Sequence, residues 1–254
     1  VKEGEKLDHL ARWLTNARSA VALTGAGVST ESGIPDFRSP GSGLWAQVDP
    51  LEVASIEGFL SDPKRFYGFW RGRFAKLTAA EPNVTHKLLA RLEAQGLLKA
   101  VITQNIDGLH KKAGSKRVLE VHGNYTRGVC LECRATYPIE ALFQKVERSE
   151  EGVPRCDRCG GLLKPDVVLF GELLPPAFQE AELEVVKCDL LLALGSSLEV
   201  YPVAGLVPRA KYSGAQVVII NRDPTEFDSV ADLVIHAQLG PTMQKLAELL
   251  GLEA

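Results

Sequence analysis

Four of the five cysteines in this 254-residue chain form two pairs of identical inner spacing, Cys130-x2-Cys133 and Cys156-x2-Cys159, separated by 22 residues. Two such knuckles are the pattern of a tetrahedral zinc site, and four thiolates close the shell against water and substrate. One structural Zn2+ per chain is therefore expected, with an iron–sulfur cluster or a redox disulfide pair as weaker alternatives. The Gly160-Gly161 pair after the second knuckle suits a tight turn that aims backbone N–H groups at sulfur. The fifth cysteine, Cys188, precedes Leu190-Leu191-Leu192 and reads as a core residue.

A second cluster of chemistry starts at Gly25-Ala26-Gly27, directly after the apolar run Ala20–Thr24. Small residues after a strand let a backbone approach a pyrophosphate at a helix N-terminus. The hydride-transfer fingerprint G-x-G-x-x-G would need glycine where Thr30 stands. The strand at 100–103 also runs into Thr103-Gln104-Asn105-Ile106-Asp107 without the usual closing ribose-binding acid. The dinucleotide reading survives, and the dehydrogenase reading weakens. Asn105 offers an amide that can fix a water or hydroxyl, and Asp107 a carboxylate that takes hydroxyl or amide donors, or both cap a following helix. His122, after a strand expected at 118–121, has the near-neutral basicity that reversible proton transfer requires. His236 also ends an expected strand, so position alone does not single out His122. His9, His110 and His236 read as structural residues, and His86, after Pro82-Asn83, as a packing residue at a helix start.

The elements that must position these groups follow from periodicity. Leu7, Leu10, Ala11 and Leu14 have helical spacing, as do Leu88, Leu89 and Leu92 ahead of Gly96. Strands are expected at 20–24, 100–103, 118–121, 166–170, 189–194, 216–220 and 232–236, with late helices near 176–187, 202–211 and 241–250. Apolar strands alternating with helices imply a parallel sheet covered on both faces. Residues 41–80 are rich in Gly, Pro and aromatics, which fits broken helices over a pocket. The expected fold class is α/β, a doubly wound Rossmann-like parallel sheet with a small zinc-ribbon module and a helical insertion. The nucleotide-binding part takes 1–42, 86–125 and 165–254, the helical module 43–85 and the zinc module 126–164.

A net charge of −3 supplies no bulk attraction to nucleic acid or anionic lipid. Between 127 and 164 seven basic residues face six acidic ones, and Tyr137 and Phe143 are too few aromatics for base stacking. The apolar runs are strand-sized, so neither a membrane partner nor a specific nucleic acid is expected. The charged start Val1-Lys2-Glu3 shows no signal peptide, and a cytoplasmic monomer is expected.

The run from Gly25 through Ser29, Thr30, Glu31, Ser32, Gly33, Ile34, Pro35, Asp36 and Phe37 to Arg38 resembles the signature loop of the sirtuins, NAD-dependent protein deacylases. Thr103–Asp107, His122-Gly123, the paired cysteines, Val168–Glu172 and Gly195-Ser196-Ser197 are similar to the family's other motifs, in the family's order. The resemblance implies a reaction in which NAD loses nicotinamide, the acyl oxygen of an acyl-lysine attacks the exposed C1′, and the acyl group passes to ADP-ribose. It implies His122 as base and Asn105 as its catalytic companion near C1′. It also implies an NAD site of Gly25, Ala26, Gly27, Ser29, Thr30, Asp36, Phe37, Arg38, Gln104, Asn105, Ile106, Asp107, Gly195, Ser196, Ser197, Asn221, Arg222 and Leu239.

The partner implied is an acyl-lysine protein or peptide, added as a strand between Val168–Glu172 and Leu198–Val200. Val168, Phe170, Gly171, Glu172, Glu199 and Val200 would be its contacts, with an apolar tunnel near Phe37, His122, Val168 and Phe170. Family members that remove succinyl or malonyl groups carry Tyr-x-x-Arg in the helical insertion. Tyr67 is present here, but Trp70 takes the arginine's place and Arg71 is one step on. Acetyl or longer apolar acyl groups are therefore expected, with poor desuccinylation. The alternatives are ADP-ribosyl transfer to protein, a zinc-ribbon binding module and an oxidoreductase.

Overall fold

The computed structural model of the chain describes residues 3–36, 43, 45 and 48–252. The expected NAD contacts Phe37 and Arg38 lie outside the described residues. In chain order the first elements are α1 (Glu3–Asn16), β1 (Ala20–Thr24), a 3-10 helix (Ala26–Ser32), α2 (Pro50–Ala54), α3 (Ile56–Ser61), α4 (Pro63–Ala79) and α5 (Val84–Ala94). Then come β2 (Ala100–Thr103), α6 (Leu109–Lys112), β3 (Val118–Glu120), β4 (Gly123–Cys130), β5 (Thr136–Pro138), α7 (Ile139–Arg148) and β6 (Leu163–Val167). The last are α8 (Pro176–Lys187), β7 (Leu190–Leu194), α9 (Leu206–Tyr212), β8 (Gln216–Ile220), β9 (Leu233–Ile235) and α10 (Leu239–Leu249).

Six strands form one parallel sheet in the order β3-β2-β1-β7-β8-β9. Successive strand residues point to opposite faces, so each apolar run feeds two cores. Ala20, Ala22, Leu190, Leu192 and Val218 meet Leu10 of α1, Leu88 and Leu92 of α5 and Met243 and Leu246 of α10. Val21, Leu23, Leu191, Val217 and Ile219 meet Ala181 and Val185 of α8 and Leu206, Val207 and Ala210 of α9. Cys188 is buried in this second core, as expected. Its thiol donates to the Val185 carbonyl at 3.2 Å, and burial pushes its pKa up to about 12. Among the described residues, no helix is long and apolar enough to cross a membrane.

A second sheet of three antiparallel strands, in the order β5-β4-β6, carries the cysteines. Here the structure corrects an expectation. The strand placed at 166–170 runs instead over Leu163–Val167 and pairs with β4, outside the parallel sheet. The polar run Lys164, Pro165 and Asp166 lies inside the strand, and the apolar residues after Val167 form an extended connection. Phe59, Phe66, Trp70 and Phe74 from α3 and α4 pack with Leu142, Leu163 and Val167 in one cluster, so the helical and cysteine segments share a single core.

The chain's sheet order reverses between β1 and β7, and there the two loops touch through glycines. Gly25 N–H donates to Leu194 O at 3.1 Å and Gly27 N–H to Gly195 O at 2.8 Å. A Cβ on Gly195 (φ 57°) would lie 2.6 Å from Val28 N and 2.7 Å from Leu239 Cδ1. We expect Gly195→Ala to lower the urea midpoint with the slope unchanged, a loss of about 2–4 kcal/mol from left-handed strain and overpacking.

Candidate active site and zinc centre

Ligands of open α/β sheets sit outside the carboxyl ends of the strands at the point where strand order reverses. The loops after β1, β2 and β7 meet there. Thr24 Oγ1 donates to Thr103 Oγ1 at 2.8 Å across the β1–β2 pair. Beyond it, Asn105 Nδ2 donates to Gly25 O at 3.0 Å and to Ser29 Oγ at 3.1 Å. Ser29 Oγ donates in turn to Asp107 Oδ2 at 2.6 Å. Asp107 Oδ1 accepts the Leu109 N–H at 2.9 Å, so this carboxylate serves the site and caps α6 with its two oxygens. Burial raises the Asp107 pKa, and the Ser29 and Leu109 donors oppose the shift. Gln104 Nε2 donates to Ser196 Oγ at 2.9 Å, which ties the β2 loop to the β7 loop. Leu198 N–H donates to the same hydroxyl at 3.2 Å.

His122 closes one side of this cluster. Its Nδ1 lies 3.1 Å from the carbonyl oxygen of Gln104, which can only accept, so Nδ1 carries the proton. Nε2 is then left as the acceptor. Burial lowers the His122 pKa below its ordinary 6.5, partly offset by the Gln104 carbonyl. The next residue has to be glycine: Gly123 has φ 74°, and a Cβ there would fall 2.2 Å from Asp166 O. His122 O accepts the Val168 N–H at 2.8 Å, which brings the segment after β6 against the same turn.

Two further histidines lie beneath the cluster. His86 Nδ1 accepts the Asn83 N–H at 3.3 Å, completing the cap of α5, while Nε2 stands 3.5 Å from Ser29 Oγ. It is the helix-start residue expected, and it also reaches the site. His110 Nε2 lies 2.9 Å from Thr24 Oγ1, and the two rings are 4.8 Å apart. Burial pushes His86 down to about 4 and His110 to about 3, so both are neutral struts at physiological pH. Sequence reasoning missed their contact with the site because neither carried a motif.

The other expected residues are placed as follows. Gly25, Ala26, Gly27 and Thr30 form the turn into the 3-10 helix, with Thr30 Oγ1 donating to Gly27 O at 3.0 Å. Asp36 and Ile106 border the cluster in sequence and are partly buried. Ser197 donates to Glu199 Oε2 at 3.3 Å, and Val200 follows in the same connection. Asn221, after β8, donates to Asp223 O at 2.8 Å, and Arg222 pairs with Asp223 on the surface. Leu239 opens α10 against Gly195. Phe170 pairs with Ser55 in an isolated parallel bridge, its N–H on Ala54 O and its carbonyl on the Ile56 N–H. Gly171 follows with φ 90°.

Two assignments change. Tyr67 is 1% exposed, packs edge-on against Phe59, Phe66 and Phe143, and donates its hydroxyl to Leu163 O at 2.7 Å. It is a core residue of α4 and does not face the cleft. Arg71 points outward to Glu147 at 3.0 Å, so its guanidinium is engaged on the surface. Glu172 does not face a peptide edge either, because its Oε2 holds Leu169 N–H and Lys164 Nζ.

The four cysteines converge as their spacing requires. Their sulfurs lie within 4.8 Å of one another, with Cys130–Cys159 and Cys133–Cys156 at 3.5 Å. A tetrahedron of Zn–S bonds near 2.3 Å has S···S edges of about 3.8 Å, so the cage fits zinc. Backbone N–H groups of Glu132 and Cys133 point at Cys130 sulfur, and those of Arg158 and Cys159 at Cys156 sulfur, which favours thiolates. Gly161 donates to Cys159 sulfur, and a Cβ on Gly161 would press 3.1 Å from Cys130 Sγ. Among the described residues the group consists of these four cysteines, and a closed four-thiolate shell serves structure.

The sequence model of the Sir2 family matches residues 25–202 of this chain. The chain belongs to the Sir2 family. Among relatives, the NAD-dependent protein deacetylase of Caldivirga maquilingensis is 49% identical over 88% of this chain and 85% of its own length. The NAD-dependent protein deacylase 2 of Archaeoglobus fulgidus is 45% identical over 96% of each chain. Among solved structures, a Sir2 protein with a deacetylated p53 peptide and 3′-O-acetyl-ADP-ribose superposes with TM-score 0.93 at 41% identity, covering 97% of this chain and 99% of that one. A Sir2 structure bound to a propionylated peptide gives TM-score 0.90 at 41% identity, covering 98% and 100%. The sirtuin fold, a Rossmann-like parallel sheet with a smaller cysteine-bearing sheet, is thus the fold of this chain.

Two outcomes are expected. The purified chain carries one zinc, read by elemental analysis, and Cys130→Ser or Cys156→Ser loses it. In an NMR titration, the His122 ring titrates below 6.5 and its neutral form is the Nδ1–H tautomer.

Proposed function

We propose that this sirtuin is an NAD-dependent protein lysine deacylase, which releases nicotinamide and moves the acyl group of an acyl-lysine to ADP-ribose. The observation that carries the reading is His122, with Nδ1–H held by a backbone carbonyl and Nε2 left as a base. When bound, NAD supplies a ribose C1′ that becomes electrophilic as nicotinamide departs. His122 Nε2 takes the proton of a ribose hydroxyl as that oxygen turns nucleophilic, and returns it later. Asn105 and Asp107, fixed through Ser29, hold the nicotinamide end in place. The glycines at 25, 27 and 195 let the backbone approach the phosphates, where Ser196, Ser197 and Asn221 offer donors. Phe37 and Arg38 belong to this reading as the cover over the reacting face and a cation for the pyrophosphate.

The acyl-lysine peptide enters as an extended segment between Val168–Gly171 and Glu199–Val200, recognised through its backbone. Relatives named deacetylase and deacylase, and a neighbour holding a propionylated peptide, support small apolar acyl groups as substrates. The same reading has the enzyme act as a cytoplasmic monomer. It assigns 1–42, 86–125 and 165–254 to nucleotide binding, with 43–85 and 126–164 folded into one body.

An acetyl- and propionyl-lysine peptide panel with NAD tests this reading. Nicotinamide release that depends on peptide, with O-acyl-ADP-ribose and bare lysine by mass spectrometry, is expected. Covalent ADP-ribose on protein, or NADH absorbance, would replace the reading. His122→Ala should lower deacylation by about 10²–10⁴-fold with NAD binding retained.

A further inference from the structure

Lys164 is 4% exposed, and among the described residues no other lysine or arginine is buried so deeply. Buried ammonium groups are rare unless they are paired and every proton has an acceptor. Lys164 meets that condition. Its Nζ donates to Val167 O at 2.6 Å, to Glu172 Oε2 at 3.0 Å and to Pro165 O at 3.2 Å. Glu172 Oε2 also accepts the Leu169 N–H at 2.8 Å, and the Glu172 N–H returns to Leu169 O at 3.0 Å. The pair therefore grips the backbone on both sides of Val168, whose own N–H is on His122 O at 2.8 Å. Burial pulls the Lys164 pKa down, and the Glu172 charge opposes that shift.

The geometry points to Lys164 and Glu172 as positioning residues, an internal ion pair that sets Val168–Phe170 as a preformed edge for the acyl-lysine peptide, in register with His122. The inference rests on the reading of 168–171 as the peptide edge. It gives Glu172 a role different from peptide contact, because both its polar interactions face inward. Val168, Leu169 and Phe170 lie beyond the end of β6 and, among the described residues, have no sheet neighbour apart from the single bridge at Ser55. Without the pair, the segment would have to be ordered by the peptide itself, and that ordering would be subtracted from affinity.

The test uses the zinc-loaded full chain and the variants Lys164→Met, Lys164→Arg and Glu172→Gln. Two quantities are read: Kd for a fluorescent acetyl-lysine peptide by anisotropy, and steady-state KM and kcat for peptide and NAD. Lys164→Met and Glu172→Gln should raise peptide Kd and KM roughly tenfold or more, with NAD KM and saturating kcat within about threefold. Lys164→Arg keeps the cation and should recover most of the loss. A folded variant with wild-type peptide Kd overturns the proposal. So does a parallel loss in NAD KM, kcat and peptide KM, which is the signature of general disruption. If Lys164→Met does not fold, Glu172→Gln decides, since it preserves shape and removes only the charge. Wild-type chain that binds peptide without NAD-dependent turnover overturns the deacylase reading and leaves Kd to judge the pair. Absence of peptide binding overturns both.

Discussion

The approach of two backbones at the point where the sheet order reverses governs everything else in this molecule. Gly25 and Gly27 lie against Gly195, and no side chain fits between them. That contact brings the loops after β1 and β7 close enough for Gln104 to reach Ser196 and for Asn105 to reach Gly25. A single methyl group there would push apart the two halves of the nucleotide cradle. The glycines thus fix the distance scale on which the polar residues of the site are built.

Above that contact the polar groups form a nearly closed circuit. Asn105 donates to Ser29, Ser29 donates to Asp107, and Asp107 receives the Leu109 N–H. Burial raises the Asp107 pKa, and the two donors offset only part of that shift. His122 solves a related problem with one backbone carbonyl, which selects the tautomer and leaves Nε2 as an acceptor. Preorganised groups of this kind need no rearrangement when charge develops beside them.

Much of this was legible in the sequence. The apolar runs of β1, β2 and β8 were bounded by glycine and polar turns, and helix α8 by Pro176 and Lys187, so their limits could be read directly. The cysteine spacing announced its own geometry. Other features depend on tertiary partners that no local pattern encodes. Nothing local places Lys164 inside a strand, because its burial depends on Val167 O and Glu172 receiving the ammonium. Tyr67 looked like a ligand group because a motif of the family contains a tyrosine, but its position on α4 points it into the aromatic core. The two insertions, 80 residues apart in places, gave no sign that they share one apolar cluster. Periodicity reports which face of an element is buried, and it does not say against what.

That shared cluster has a further consequence for how the molecule is tied together. β6 begins beside the zinc cage, where Leu163 pairs with Cys130, and ends where Val168 meets His122. Five strand residues span about 17 Å, so one short, stiff rod runs from the thiolates to the His122 turn. The cage and the His122 turn are thus tied together through β6, whereas the two cores of the Rossmann-like sheet are built from other residues.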